Sequence, residues 1–426
     1  MRTFKIALSL ITFLLSVSVF AQKTYLQCGQ LIDVEQGKIL SEYTIVVEGN
    51  TIIDVVKGYS IGETSDIVVD LKSKTVMPGL MDMHVHLEGE SNPKKYIERF
   101  TKSDIDVAFD AALYAKRTLM AGFTTVRDLG GSGVNTALRN AINRGVTEGP
   151  RVYSAGKSIA TTGGHADPTN GYRRDLQGDP GPKEGVINSP EEARKAVRQR
   201  YKNGADVIKI TATGGVLSVA KDGSGPQFTQ EEVNAIVEIA NEYGMITAAH
   251  AHGVEGMKRA ILAGITSIEH GTKMDDEIRK LMVEKGTYYV PTISAGKFVA
   301  EKAKIKGYFP DIIVPKALEI GPLIDETFSK AYKAGVKIAF GTDSGVSPHG
   351  ENGKEFKYMV DAGMPPMKAI QSATISTAQM LRINDKLGVI KKGYLADIIA
   401  VDDDPLKNIS TMEKVSFVMK DGVVYK

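Results

Sequence analysis

The chain has one cysteine, no tryptophan and only seven histidines in 426 residues. A single cysteine excludes an internal disulfide and any cysteine-cluster site for zinc or iron–sulfur. An excess of one charge is missing too: 53 Lys and Arg stand against 51 Asp and Glu. That balance leaves no electrostatic footprint for nucleic acid. After the first 21 residues no window is long and apolar enough for a transmembrane helix, so no stable membrane insertion is expected. The remaining composition, 42% hydrophobic and 24% charged, rules out the disordered and fibrous classes. A chain of this length is expected to hold one large α/β barrel with an appendage, or two to three smaller domains.

Residues 1–21 read as a secretory signal peptide. Arg2 and Lys5 form a basic start, residues 6–17 are almost wholly apolar, and Val19, Phe20 and Ala21 provide the cleavage positions. The apolar run falls short of the ~20 residues needed to span a bilayer. The expected mature protein is periplasmic or secreted. Cleavage would remove two basic side chains and bring the net charge from +2 to zero.

Residues 22–77 alternate apolar and polar in short runs, such as Thr44–Val47, Thr51–Ile53 and Ile67–Val69, punctuated by Gly37, Gly49 and Gly58. This is the pattern of small antiparallel strands. Residues 386–426 repeat it in Asp397–Val401, Val415–Met419 and Val423–Tyr425. Together the two ends predict one small β-sandwich domain. Between them, residues 78–385 repeat another signature, in which a helical run ends at glycine and a short β-rich run follows. Gly122 leads into FTTVRD, Gly204 into ADVIK, Gly264 into ITSIEH and Gly335 into VKIAFGTD. Glycine just past a helix end is the cap that lets the chain turn into a strand. Ser189 with Glu192, and Thr229 with Glu232, match capping boxes at helix starts. Eight strands are expected near 75–83, 124–128, 151–156, 207–211, 246–250, 266–270, 288–291 and 337–342. Alternating strands and helices in this number predict an α/β fold, a (β/α)8 TIM-type barrel. A doubly wound sheet would want a glycine-rich phosphate loop after its first strand; here that strand ends in His-Val-His.

His84 and His86 stand two apart on the first barrel strand, so both imidazoles point the same way. Alone, such a pair is as well explained by two core or surface histidines. His250 ends the fifth strand, His270 the sixth, and Asp343 follows the eighth. Catalytic residues of such barrels come from the C-terminal ends of different strands. Four histidines and a carboxylate would then converge on one mouth, a nitrogen and oxygen set suited to zinc or a similar divalent ion. Lys209 lies within the fourth strand, where a desolvated amine loses basicity. It is either a buried amine paired with a carboxylate, or an amine that has taken up carbon dioxide to become an anionic, bidentate carbamate. His165 and His252 fall in loops at the same mouth, as structural histidines or as substrate contacts. Tyr172 and Arg173 lie beyond His165 on one long loop. An arginine there could form a bidentate pair with a substrate carboxylate, or simply be exposed. His349 reads as loop support. The glycine-rich stretch 214–225 reads as a mobile flap; it lacks the spacing of a phosphate loop.

These motifs resemble the amidohydrolase superfamily over essentially the whole chain after the leader. The resemblance rests on Val76–His86 (VMPGLMDMHVH), Lys209 in VIKI, His250, His270 in IEHG, Asp343 in GTDSG and the closing stretch Leu387–Ile399. More narrowly the chain is similar to the imidazolonepropionase-related branch of secreted metal-dependent dipeptidases and carboxypeptidases, with Xaa-Pro, Arg/Lys and ochratoxin-type amide hydrolases among them. Thr161–His165, Thr213–Gly215, Ala249–Gly253 and Ser347–Gly350 carry that likeness. The resemblance implies two divalent ions, with zinc expected. His84, His86 and Asp343 would hold one, His250 and His270 the other, and N6-carboxylated Lys209 and a hydroxide would bridge them. It implies cleavage of a peptide-like amide next to a free carboxylate, in a dipeptide, a peptide C-terminus or an N-acyl amino acid. The bridging hydroxide would attack, a metal would polarise the carbonyl, and Asp343 would carry a proton to the leaving amine. His165 and His252 would touch the substrate. Dipeptidase relatives often have tyrosine where this chain has His252. The rival readings are an imidazolonepropionase-like cyclic-amide hydrolase, a mononuclear deaminase and a non-catalytic binding protein on the same fold. The expected partner is a small-molecule or peptide substrate; a homo-oligomer stays open.

Overall fold

A computed structural model describes residues 22–221 and 223–426; the expected leader lies outside the described residues. Fifteen strands are present among them: β1 Lys23–Asp33, β2 Lys38–Glu48, β3 Thr51–Lys57, β4 Ile67–Pro78, β5 Leu80–Val85, β6 Phe123–Asp128, β7 Arg151–Ser154, β8 Val207–Thr211, β9 Ile246–Ala251, β10 Ser267–His270, β11 Tyr288–Val290, β12 Lys337–Ile338, β13 Ile398–Val401, β14 Val415–Lys420 and β15 Val423–Val424. The two chain ends meet in one seven-stranded sheet, ordered β15-β14-β13-β4-β1-β2-β3. Its pairings are antiparallel except β1 with β4. Leu26, Ile45, Ile52, Val76, Ile398 and Phe417 form its apolar core. The lone Cys28 packs there as well, and burial pushes its thiol up to about 12. That thiol is inert, a small hydrophobe of the core.

The middle of the chain alternates strand and helix, and its strands pair in parallel. β5, β6 and β7 form one sheet, and β8 to β12 another. The sheets touch at both edges. Ile159, just past β7, bridges Ile210 of β8, and Val85 of β5 bridges Ser344, six residues past β12. Helices cover these strands, and their inward apolar faces meet the strands in the main core. The glycines at 122, 204, 264 and 335 turn the chain from helix to strand at φ values from +82° to +95°. Thr229 and Glu232 form the expected capping box. At Ser189 only half forms: Ser189 accepts from the Glu192 N–H, while Glu192 reaches one residue further back, to the Asn188 N–H. No helix among the described residues is long and apolar enough to cross a membrane.

Two expected strands differ from the structure. The run 75–83 is not one strand. Gly79 divides it, with β4 in the terminal sheet and β5 in the parallel one. A side chain at Gly79 would meet the Thr124 hydroxyl at 2.3 Å, so only glycine lets the chain cross there. The strand expected at 337–342 pairs regularly only at Lys337–Ile338. Beyond it the chain continues alongside β5 by single bonds, Met83 N–H to Phe340 O and Asp343 N–H to His84 O.

Candidate metal centre

β5 delivers the first ligand-type residues. Its Asp82 carboxylate is fully buried and accepts from the hydroxyl of Thr342 (2.6 Å), the amide of Asn352 (2.8 Å) and the N–H groups of His84 and Thr342. Burial pushes its carboxyl up to about 6, against the pull of those donors. Asp82 thereby ties β5 to the stretch after β12 and sets His84 beside Asp343. The His84 Nε2 and Asp343 Oδ1 lie 3.7 Å apart, and the His86 Nε2 lies 3.5 Å from the same oxygen.

Each of four imidazoles has one ring nitrogen held from outside. The His84 Nδ1 lies 2.9 Å from Glu269 Oε2, the His86 Nδ1 2.8 Å from the Gly130 carbonyl, the His270 Nδ1 2.7 Å from the Thr292 hydroxyl and the His250 Nε2 3.1 Å from the Gly214 carbonyl. An acceptor on one nitrogen fixes the tautomer and leaves the other nitrogen as a lone-pair donor, as metal-ligating histidines require. The rings form a chain, with centroids 5.3 Å apart for His84–His86, 4.9 Å for His84–His270 and 4.7 Å for His250–His270. Burial first, and neighbouring positive groups second, hold His84, His250 and His270 well below the ordinary imidazole range and His86 at about 4. Neutral imidazole is the form that binds metal.

Behind His84 sits a buried ion pair. Glu269, fully buried, also accepts from Arg127 Nη2 at 2.8 Å and the Ser267 hydroxyl at 2.5 Å. Arg127, equally buried, donates further to the Met83 carbonyl and to Ser267. Behind His270, Glu355 accepts from the N–H groups of Ile293 and Ser294 and the Ser294 hydroxyl, at 2.6–2.8 Å. It braces the chain at Thr292, and burial pushes its carboxyl up to about 7. His270, Thr292 and Asp343 all have left-handed backbone, at φ +69°, +51° and +58°. Such conformations cost about 1–3 kcal/mol each and persist where the surroundings over-determine them.

His84, His270 and Asp343 each place a donor atom within 4.8 Å of the others. Asp343 Oδ1 is buried and has no hydrogen-bond partner among the described residues. A bare buried carboxylate oxygen is costly, and a cation would satisfy it. Lys209 projects from β8 with its Nζ 3.4 Å from the His84 Nε2. Burial lowers the affinity of that amine for its proton, while Glu269 and Asp343 oppose the shift. The donor set, imidazole nitrogen with carboxylate oxygen, suits zinc or a similar divalent ion.

His84, His86, Lys209, His250, His270 and Asp343 line one cavity of about 260 Å³, together with His165 and His252. His165 stacks on His250 at 4.3 Å, and a side chain at Gly215 would strike its ring at 2.2 Å. The His165 Nδ1 is buried without a partner among the described residues. The His252 Nδ1 lies 3.0 Å from the Thr272 hydroxyl. Burial holds both rings at about 3. The lining also includes the aliphatic side chains of Val216, Leu217, Val299, Ile320, Ile324 and Val346.

Three residues singled out from the sequence lie elsewhere. Arg173 is exposed and spends its guanidinium on Asp175, at 2.6 and 2.8 Å. Tyr172 packs its ring against Phe100, tilted by 45° with centroids 4.8 Å apart, and does not line the cavity. Among the described residues no arginine lines it, so a bidentate carboxylate clamp from this loop is not built. His349 stacks on Tyr114 and its Nε2 meets the Gly89 carbonyl at 2.9 Å, fastening its loop. Part of the expected flap is tied to Lys316, which donates to the carbonyls of Gly215, Ser218 and Ala220 at 2.7–3.2 Å.

The amidohydrolase family matches residues 75–425. The ochratoxinase of Aspergillus niger is 34% identical over 375 residues, covering 82% of this chain and 75% of that protein. A crystal structure of a Xaa-Pro dipeptidase with methionine bound in its active site is 57% identical, with a TM-score of 0.93 over 95% of this chain and all of that one. A prolidase complexed with N-methylphosphonate-L-proline is 31% identical, with a TM-score of 0.86 over 95% of this chain and all of that one. The family match contains every strand from β5 to β12 and every candidate ligand, and the fold agrees over nearly the whole length. The chain therefore belongs to the amidohydrolase family.

Proposed function

We propose that the chain is a metal-dependent dipeptidase that cleaves the amide bond of a small substrate ending in a free carboxylate, with Xaa-Pro dipeptides as the leading class. One observation carries this reading: a small cavity lined by imidazoles, Lys209 and Asp343 together with aliphatic side chains. Its volume of about 260 Å³ lies just below the ~300–1,000 Å³ usual for small-molecule sites, which suits a small substrate. The likeness to the Xaa-Pro dipeptidase supports the substrate class. A second reading, an N-acyl amino acid as substrate, draws on the likeness to ochratoxinase.

In this reading β5 to β12 close into one (β/α)8 barrel, supported by the edge bridges Ile159–Ile210 and Val85–Ser344. The terminal segments 22–77 and 386–426 form its β-sandwich companion, and the mature chain works in the periplasm or outside the cell. His84, His86 and Asp343 would hold one divalent ion, and His250 and His270 a second, zinc in both places. Carboxylated Lys209 would lie between them; its amine nitrogen bonds to the carbon of carbon dioxide and releases a proton. When bound, such a pair supplies Lewis acidity to the scissile carbonyl and makes water nucleophilic near neutral pH.

The chain's own residues supply the rest. Glu269, Gly130, Thr292 and Gly214 hold the four rings in the donor tautomer. The Asp343 carboxylate would take the proton from the attacking water and give it to the departing nitrogen, since an amide nitrogen leaves poorly unless protonated. His165 and His252, neutral and on the wall, orient the substrate. The aliphatic wall excludes water and receives an uncharged side chain.

The test is hydrolysis by purified, metal-loaded protein of Xaa-Pro dipeptides, N-acyl aromatic amino acids and a cyclic amide, with metal content measured in parallel. About two equivalents of metal and turnover of the dipeptides are expected. Asp343→Asn should lose ~10²–10⁴-fold in kcat while staying folded, the usual worth of a positioned proton carrier. Turnover of the cyclic amide alone, or full activity in Asp343→Asn, would overturn the reading.

A further inference from the structure

Lys316 stands on the helix Val314–Ile320, whose Ala317 and Ile320 line the cavity. It is buried, and its Nζ donates to the carbonyls of Gly215 at 3.2 Å, Ser218 at 2.7 Å and Ala220 at 2.8 Å. One ammonium thus gathers the loop 215–220 around itself. An ammonium suits this task, because it is a compact charge whose donors rotate, whereas a guanidinium fork is planar. Its stem takes part as well: a Cβ on Gly223 would come within 3.1 Å of Lys316 Cδ. A buried cation needs such oxygens, so the course of the loop and the burial of the lysine depend on each other.

The gathered loop meets the site in three ways. The Gly214 carbonyl, one residue before it, holds the His250 Nε2 at 3.1 Å. Gly215 lies against the His165 ring, which any side chain there would strike at 2.2 Å. Val216 and Leu217 line the cavity themselves. The base of the loop is closed by the Gly214 N–H on the Gly225 carbonyl at 3.0 Å, and Gln227 beyond it accepts the His165 N–H at 2.8 Å. From this arrangement we infer that Lys316 is a positioning residue. Through residues 214–220 it sets the orientation of His250 and His165 and the place of Val216 and Leu217, and so governs which substrate side chain the cavity accepts. Lys316 does not line the cavity; it acts through the loop.

Two effects on the reaction follow, and both rest on the dipeptidase reading. A loop released from Lys316 leaves Val216 and Leu217 without a fixed seat. A substrate with a large apolar side chain then loses contacts that a glycyl substrate never made. Apolar pocket contacts of this kind discriminate by ~10–200-fold per methylene. His165, no longer wedged against Gly215, also loses its place on His250, and turnover falls for every substrate.

The experiment compares the full parent chain with Lys316→Met and Lys316→Arg. Lys316→Arg keeps the charge but not the three converging bonds, and it carries the test should Lys316→Met not fold. The first measurement is amide hydrogen exchange of the metal-free proteins, read on peptides covering 212–220. Loss of the charge-assisted bonds should speed exchange there by at least ~10-fold, with peptides of β6 and β7 unchanged. The second is the ratio of kcat/KM for Leu-Pro to that for Gly-Pro in the metal-loaded proteins. It should fall by ~10-fold or more in Lys316→Met, and by less in Lys316→Arg. A folding defect lowers the active fraction and cancels from this ratio. Unchanged exchange at 212–220, exchange that quickens equally throughout the barrel, or a ratio equal to the parent's overturns the proposal. A parent that cleaves neither dipeptide sinks the dipeptidase reading instead, and the exchange measurement then judges Lys316 by itself.

Discussion

Glu269→Gln is the sharpest test of how the metal centre is held. The substitution preserves shape and replaces one acceptor oxygen with a donating NH2. Glu269 now serves three donors, from His84 at 2.9 Å, Arg127 at 2.8 Å and Ser267 at 2.5 Å. With glutamine, either His84 or Arg127 faces a donor. Arg127 is fully buried, and stranding such a cation costs about 3–5 kcal/mol. Urea unfolding of the metal-free variant should show a loss of that size. Loss of an outer partner to a metal-ligating histidine weakens metal by ~10–100-fold, or about 1.4–2.7 kcal/mol. Competition with a chromophoric chelator measures it. The double variant Arg127→Met with Glu269→Leu separates the two effects. Replacing both ions with apolar groups should return most of the stability, while His84 still lacks its acceptor and the metal stays weak. Parental metal affinity in Glu269→Gln, or full recovery of affinity in the double variant, would refute the reasoning.

Two further outcomes are expected. Protein stripped of metal and reloaded without bicarbonate should recover activity poorly, and bicarbonate should restore it; with labelled carbonate a carbamate carbon signal should appear, absent in Lys209→Gln, and recovery indifferent to bicarbonate would end the carboxylation proposal. His349 gives the pH dependence: burial holds its imidazole at about 4, against 6.5 when free. The unfolded chain therefore binds the proton first, so this residue's contribution is complete above pH 6.5 and is lost as pH falls toward 4. At pH 5 the loss is about 2 kcal/mol. The gap in unfolding free energy between pH 7.5 and pH 5 should narrow by about that much in His349→Gln, and an unchanged gap would show that the ring is not held neutral.

Much of the centre could be read from the chain because each ligand interrupts an apolar strand near its C-terminal end. Lys209 in VIKIT and His250 in ITAAHA stand out as polar side chains in buried runs. Glu269 did not, although it precedes His270 in the same run. Strand alternation puts neighbours on opposite faces, so both could not be expected to serve one site. The positive φ of His270 breaks the alternation and turns both toward His84. Arg127 is the penultimate residue of FTTVRD, where an arginine is ordinarily read as exposed; burial follows only because Glu269 arrives from a strand 142 residues on. Tyr172 and Arg173 show the reverse. Loop membership alone linked them to the cavity, and short-range partners, Phe100 and Asp175, took them away from it. The strand pattern at 75–83 was apolar throughout, so periodicity could not show that Gly79 splits it between two sheets. Lys316, in a helix of mixed character, reads as solvated until the fold sets three carbonyls around it.

The seven-stranded sheet has a consequence for biosynthesis. β4 lies between β1 and β13, and its residues 75–78 pair with 398–401, made about 320 residues later. At ~5–20 residues per second, that strand edge waits roughly 15–65 s for its partner. During that interval its free backbone groups could pair with another nascent chain. Completion of the terminal sheet is thus a late event in synthesis, and truncation of the last 30 residues should release a chain whose β4 edge stays open and invites aggregation.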